Sequence, residues 1–145
     1  MIPDRPVVIS CGEPSGIGPE VAARAWAMLA GEIPMVWLGD PRHLPHDIPH
    51  QVIDTPAQAL GVNSEALPVL AHTFAKDVRP GIPEPANAQN VIDVIARGVD
   101  LVRSGEACAL TTAPIHKKAL KDGADFAYPG HTEYLAALAG VADVV

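Results

Sequence analysis

The sequence predicts an α/β fold around a parallel sheet. Two observations carry that prediction. The first forty residues order themselves as strand, glycine-rich turn, helix and strand. An amphipathic helical stretch over 84–103 then leads into a second apolar run, 106–114, with strand character. The chain has 145 residues, 48% of them hydrophobic, which is enough for one domain with its own core. No linker and no repeat divides it, so 1–145 reads as one α/β unit without an internal boundary.

"RPVVISC" (5–11) is a β-branched run ended by glycine, the pattern of a buried strand. In "CGEPSGIGPEVA" (11–22), Gly12, Gly16 and Gly18 alternate with Pro14 and Pro19. Pro19 suits the first turn of a helix, where its missing N–H is not needed, and Glu20 complements the positive helix end. That helix is expected to reach Leu29 or Ala30 and stop at Gly31. "PMVWLG" (34–39) is the second strand. Prolines crowd residues 40–87, where "HQVID" and "LPVLA" are expected as short strands at the sheet margin and the rest as loop.

From Glu84 to Arg103 a helix is marked by Ala88, Val91, Ile92, Ile95, Val99 and Val102 at helical spacing. "EACALTTAP" (106–114) follows as an expected buried strand. "IHKKALKDG" (115–123) predicts a short helix closed by Asp122-Gly123, and "YPGHTEYLAALAG" (128–140) a turn and a helix ending at Gly140. "VADVV" (141–145) has the character of a further strand cut inside a sheet, which is expected to associate or swap with a neighbour.

The formal charge of −7 argues against a nucleic-acid binder, which needs a basic face to displace counterions, and against an anionic membrane surface. A small anion remains possible, because a local pocket can be positive on an acidic protein. Cys11 and Cys108 lie in apolar runs and read as buried thiols, not as a disulfide framework. The N-terminal residues carry no leader pattern and no apolar run is long enough to span a bilayer, so the expected compartment is the cytoplasm.

Three stretches carry candidate chemistry. The opening glycine turn is neither a Walker loop nor a GxGxxG fingerprint. It places Glu13 at the carboxyl end of a strand, and serves either a ligand or simply a tight strand-to-helix connection. Substituting Gly16 with valine is expected to damage folding more than affinity. In "TTAPIHKK" (111–118), Lys117 and Lys118 fall in the first turn of a helix, where a cation opposes the dipole. Either they hold an anion or carboxylate, or they point to water. In "GHTEYL" (130–135), Gly130 bares the backbone at a helix start, and His131 and Thr132 add a ring nitrogen and a hydroxyl. That suits a phosphate; equally, Thr132 is a plain N-cap and His131 a surface residue. "HLPHDIPH" spaces His43 and His46 three apart, but Pro45 and Pro49 break the helix that would align them and no carboxylate or cysteine frame completes a metal site.

Taken in this order, "GEPSGIGPE", "TTAPIHKKAL" and "YPGHTEYLA" resemble the 4-hydroxythreonine-4-phosphate dehydrogenase family of vitamin B6 biosynthesis. The resemblance runs the length of the chain, with Ser15 where many members have alanine. It implies a fold like that of isocitrate and isopropylmalate dehydrogenases, with two α/β lobes, a homodimer and active sites at the cleft. It implies oxidation of 4-phosphooxy-L-threonine by NAD or NADP and loss of carbon dioxide, giving 3-amino-2-oxopropyl phosphate. A divalent metal (zinc, magnesium or cobalt) would grip the substrate hydroxyl.

Through the GHTE motif, the resemblance implies substrate contacts at His131 and Thr132, with a phosphorylated small molecule as partner. Family members are considerably longer. Their metal-binding histidines and most of their nucleotide site lie beyond this segment, so no metal ligand is expected in this chain and the polypeptide alone is expected to be inactive. Catalytic and cofactor-binding residues are not assigned, and the roles of Glu13 and Lys117 stay open. The rival readings are a paralogous dehydrogenase of a related phosphorylated hydroxy acid, a phosphate acyltransferase, and a non-catalytic phosphate-binding module.

Overall fold

The computed structural model describes residues 4–142. Its strands are β1 (Val7–Ser10), β2 (Met35–Gly39), β3 (His50–Ile53), β4 (Leu67–Ala71) and β5 (Ala109–Thr112). All pair in parallel, in the order β3-β4-β2-β1-β5. Val7 stands opposite Met35 on one side and Ala109 on the other. The central strands are apolar almost without interruption, as strands covered on both faces must be. Val8, Val36, Trp37, Leu38, Leu67 and Val69 are fully buried.

The helices are α1 (Gly18–Leu29), the one-turn α2 (Ala59–Val62), α3 (Ala88–Arg103), α4 (Lys117–Ala124) and α5 (His131–Ala139). The chain crosses from β1 to β2 through α1, and from β4 back past β1 to β5 through α3. Right-handed crossovers running in opposite directions put α1 and α3 on opposite faces of the sheet. Ala22, Ala23 and Trp26 form the buried face of α1; Val91, Val94, Ile95 and Gly98 form that of α3.

Several expectations need correction. Strand β5 is not buried: its residues alternate between exposed and half-buried, because among the described residues it pairs only with β1 and so forms the sheet edge. Cys108, just before it, is exposed, whereas Cys11 is buried, and burial pushes the Cys11 thiol far up. β4 lies one strand in from the margin and is largely buried; only β3 is marginal. The proline-rich region is not all loop, since 3₁₀ turns at Pro41–His43 and Pro56–Gln58 and the helix α2 lie in it. A 3₁₀ turn, Pro85–Asn87, replaces the expected first turn of α3. On α3, Ile92, Val99 and Val102 are only half-buried, so the burying stripe runs through Val94 and Gly98 instead.

One helix end also differs from expectation. Gly123 lies inside α4, and the residue that closes this helix is Asp125, at φ 51°. Gly31 does not supply a left-handed cap to helix α1, which ends at Leu29, as expected, with Ala30 as its C-cap in right-handed helical geometry. Its terminal carbonyls are taken by a distant side chain. The Asn63 amide donates to the carbonyls of Ala30 and Ile33, its Oδ1 accepts from the Met35 N–H, and its own carbonyl accepts from the Trp26 indole. One buried asparagine thus ties the end of α1 to the start of β2. The expected strand at 141–145 falls partly on 143–145, outside the described residues; Val141 and Ala142 are not in a strand.

At the carboxyl end of β2 a buried carboxylate organises the following loop. Asp40 accepts hydrogen bonds from the Arg42 guanidinium, the Arg42 N–H and the Phe74 N–H. Burial alone would raise its pKa, but these donors outweigh burial and bring it down to about 2. The folded value lies below the unfolded one, so the stabilisation is complete above the ordinary carboxylate pKa and fades as pH falls from about 4 towards 2. The contribution is about 2 kcal/mol. Asp40→Asn should therefore lower stability at neutral pH and flatten its decline between about pH 4 and 2 in urea titrations. An unchanged acid slope would show that Asp40 does not carry it.

Candidate functional site

In an open parallel sheet, ligands bind beyond the carboxyl ends of the strands where successive crossovers diverge. Here that point lies between β1 and β5, because α1 leads away from β1 in one direction and α3 returns on its other side. The two loops that leave these strands are residues 11–17 and 113–116, which hold the first two sequence motifs.

The loops lock together through the backbone. The Glu13 N–H donates to the Pro114 carbonyl at 2.9 Å, and the Ala113 N–H donates to the Ser10 carbonyl at 3.1 Å. Gly12 adopts φ +63°, and a Cβ there would stand 2.3 Å from the Pro114 oxygen. The glycine turn therefore admits a neighbouring loop, not a ligand, at this position. Gly16 makes a weaker demand: its φ is not left-handed and an added Cβ would meet the Glu13 carbonyl at 3.2 Å. Glu13 is buried, and its Oε1 accepts from both the N–H and the hydroxyl of Ser15. Its carboxylate is thus engaged in shaping the turn.

The second loop leads into α4. His116 caps that helix, its Nδ1 accepting from the Ala119 N–H at 3.1 Å. Lys117 and Lys118 then open the helix, as the sequence reading expects. They diverge in role, because Lys118 pairs with Asp122 one turn on while Lys117 makes no ion pair among the described residues.

The third motif lies beside Lys117. Gly130, in extended geometry, is the N-cap of α5, so Thr132 is not the N-cap; it is exposed at the second helical position. Gly130 is buried, and a Cβ on it would come within 3.5 Å of the Lys117 Nζ and of Glu133 Oε2. His131 is half-buried, with Nε2 shielded from solvent and without a hydrogen-bond partner. Burial and then the Lys117 charge both push its pKa down, favouring the neutral ring. The first N–H groups of α5 have no intrahelical acceptor, as at every helix start. One patch thus gathers backbone donors, an imidazole, a hydroxyl and an unpaired ammonium.

His43 and His46 line a separate cleft of about 280 Å³ with Pro14, Pro19 and Pro45. Burial lowers the pKa of His43, which packs edge-on against Phe74 at 5.1 Å. Among the described residues, no three histidine, cysteine or acidic side chains are grouped to hold a metal. These residues therefore do not fit a complete metal centre. No helix among them is long and apolar enough to cross a membrane.

The helix cap at His116 and the meeting of Lys117 with Gly130 were not read from the sequence. The proximity joins residues of two helices, and only the placing of α4 against α5 reveals it. A histidine followed three residues later by alanine in a helix is a weak signal for a cap.

The parallel sheet and its flanking helices define the class: an α/β unit of the isocitrate/isopropylmalate dehydrogenase-like fold. Crystal structures of 4-hydroxythreonine-4-phosphate dehydrogenases carry the same arrangement. The one from Klebsiella pneumoniae superposes with a TM-score of 0.79 at 26% identity, covering 96% of this chain and 46% of that one. The one from Burkholderia phymatum gives 0.80, also at 26% identity, with 96% and 44% covered. The family described as pyridoxal phosphate biosynthetic protein PdxA matches residues 30–145, and the chain belongs to that family. It is 62% identical over 135 residues to the 4-hydroxythreonine-4-phosphate dehydrogenase of Roseobacter denitrificans and 58% identical over 139 to that of a Ruegeria species. It covers 93% and 96% of its own length in these matches, but only 41% and 43% of theirs.

Proposed function

We propose that this chain supplies the substrate-phosphate part of a 4-hydroxythreonine-4-phosphate dehydrogenase. The observation that carries the reading is the start of α5, where His131 and Thr132 stand with free helix donors beside Lys117. The names of its relatives point to the same phosphorylated hydroxy acid. His131, kept neutral, donates or accepts one hydrogen bond; the Thr132 hydroxyl and the α5 backbone take the phosphate oxygens.

In the whole enzyme the reaction would be oxidation by NAD or NADP with decarboxylation, in a soluble cytoplasmic homodimer. A divalent metal would supply Lewis-acid stabilisation of the developing alkoxide. The described residues offer no centre for it, and the metal and nucleotide would be held by the part of the enzyme that this chain does not span. What this chain does is bind and orient the phosphate end of the substrate. In this reading 1–145 is one incomplete α/β unit, to which no catalytic residue is assigned.

The test pairs calorimetric binding of 4-hydroxythreonine 4-phosphate with a spectrophotometric assay for NADH. The 145-residue polypeptide should bind the compound and form no NADH with NAD and zinc or magnesium. Turnover by this polypeptide would overturn its assignment as a binding part only, and absence of binding would overturn the site.

A further inference from the structure

Lys117 is not assigned by the motif that points to His131 and Thr132, yet the fold brings it to them. It leaves the β5 loop as the first residue of α4, and its Cε and Nζ lie 3.4 and 3.5 Å from where a Gly130 Cβ would stand. The ammonium therefore lies against the Gly130 backbone at the start of α5. Lys118, its neighbour, is neutralised by Asp122. Lys117 also faces a cleft of about 460 Å³ whose other lining residues are Lys118, Lys121, Phe126, Ala127, Tyr128 and Pro129, none of them acidic. With Lys118 paired to Asp122, Lys117 and Lys121 are the lining cations without an ion pair among the described residues, on a chain of formal charge −7. The Glu133 carboxylate faces the same point, and it is not within ion-pair distance of Lys117.

A lysine at the first position of a helix opposes the dipole, and an unpaired one beside a second helix start is repelled by both. An anion bridging Lys117 and the α5 N–H groups reverses each repulsion. We propose that the Lys117 ammonium is the countercharge of the anion held at His131 and Thr132. This makes it a substrate-binding residue, adjacent to Gly130 at the helix start that would hold the ligand. The inference rests on the phosphate site proposed above and adds a residue to it.

The test is titration of the 145-residue chain with inorganic phosphate and with 4-hydroxythreonine 4-phosphate, following the His131 ring by NMR. Lys117→Met should weaken binding of both by roughly tenfold, the loss of one charge-assisted contact. Lys117→Arg should restore most of it, and Lys118→Met should leave it unchanged. In the ligand-free Lys117→Met variant His131 should titrate at higher pH, because a repelling charge is gone. That second readout shows the variant folded and the two groups adjacent. Unchanged affinity in Lys117→Met, with His131→Ala still weakening binding, would overturn the role of Lys117 and leave the site standing. Absence of binding by the unmodified chain would overturn both.

Discussion

Gly12→Val should leave the protein largely unfolded. The residue sits at φ +63°, a conformation that a β-branched side chain adopts only at a cost of about 1–3 kcal/mol. Its Cβ would also stand 2.3 Å from the Pro114 oxygen and 2.8 Å from the Ala113 carbonyl carbon, both backbone atoms that no rotamer change can move. Separating the loops to make room would break the Glu13 N–H to Pro114 bond and disturb the junction of β1 with β5. Overpacking adds roughly 1–3 kcal/mol, and the sum with the lost loop hydrogen bond reaches the lower end of the roughly 5–15 kcal/mol that holds a typical domain together. Gly12→Ala should lie between, since it keeps the clash but lacks the branch. Urea unfolding by circular dichroism reads the series; a valine variant with the parental midpoint would show that the loops have room to part.

The second large effect falls on binding. His131→Ala should reduce affinity for 4-hydroxythreonine 4-phosphate by about 10- to 100-fold, while changing the unfolding midpoint little. The ring is only half-buried and its Nε2 bonds to nothing in the protein, so removal leaves no partner stranded. What is lost is a ligand contact of the kind worth about 1.5–3 kcal/mol when one partner is charged. Calorimetry on the variant checks this. A fall in stability without a fall in affinity would make His131 a packing residue.

Much of the fold is legible along the chain because hydrophobic periodicity and glycine punctuation are local signals. β1, α1 and β2 follow directly from "RPVVISC", the proline at the helix start and "PMVWLG". The closing of α5 at Gly140 likewise follows from a left-handed glycine, at φ 71°. The strand at 106–114 was legible as a strand but not as an edge, because its apolar run does not say which neighbours the sheet supplies. The end of α1 at Leu29 was legible, but what ties it down was not: Asn63 lies thirty or more residues away, and no local signal announces that its amide will reach Ala30 and Ile33.

The candidate site divides in the same way. His131 and Thr132 are adjacent in sequence and start a helix, so their pairing can be read directly. Glu13 resembled a ligand-facing carboxylate, but Ser15 two residues on claims it. Lys117 and Gly130 meet only because α4 and the turn at 126–129 fold back against each other.

The central claim is that the start of α5, beside Lys117 after the loop that leaves β5, holds the phosphate of the substrate. Backbone ¹H–¹⁵N NMR of the 145-residue chain, titrated with 4-hydroxythreonine 4-phosphate, tests it most directly. The account predicts saturable shifts confined to Gly130–Glu133 and the 113–117 loop, with the remaining amides unmoved. Shifts centred instead on the cleft of His43 and His46, or none that saturate, would contradict it.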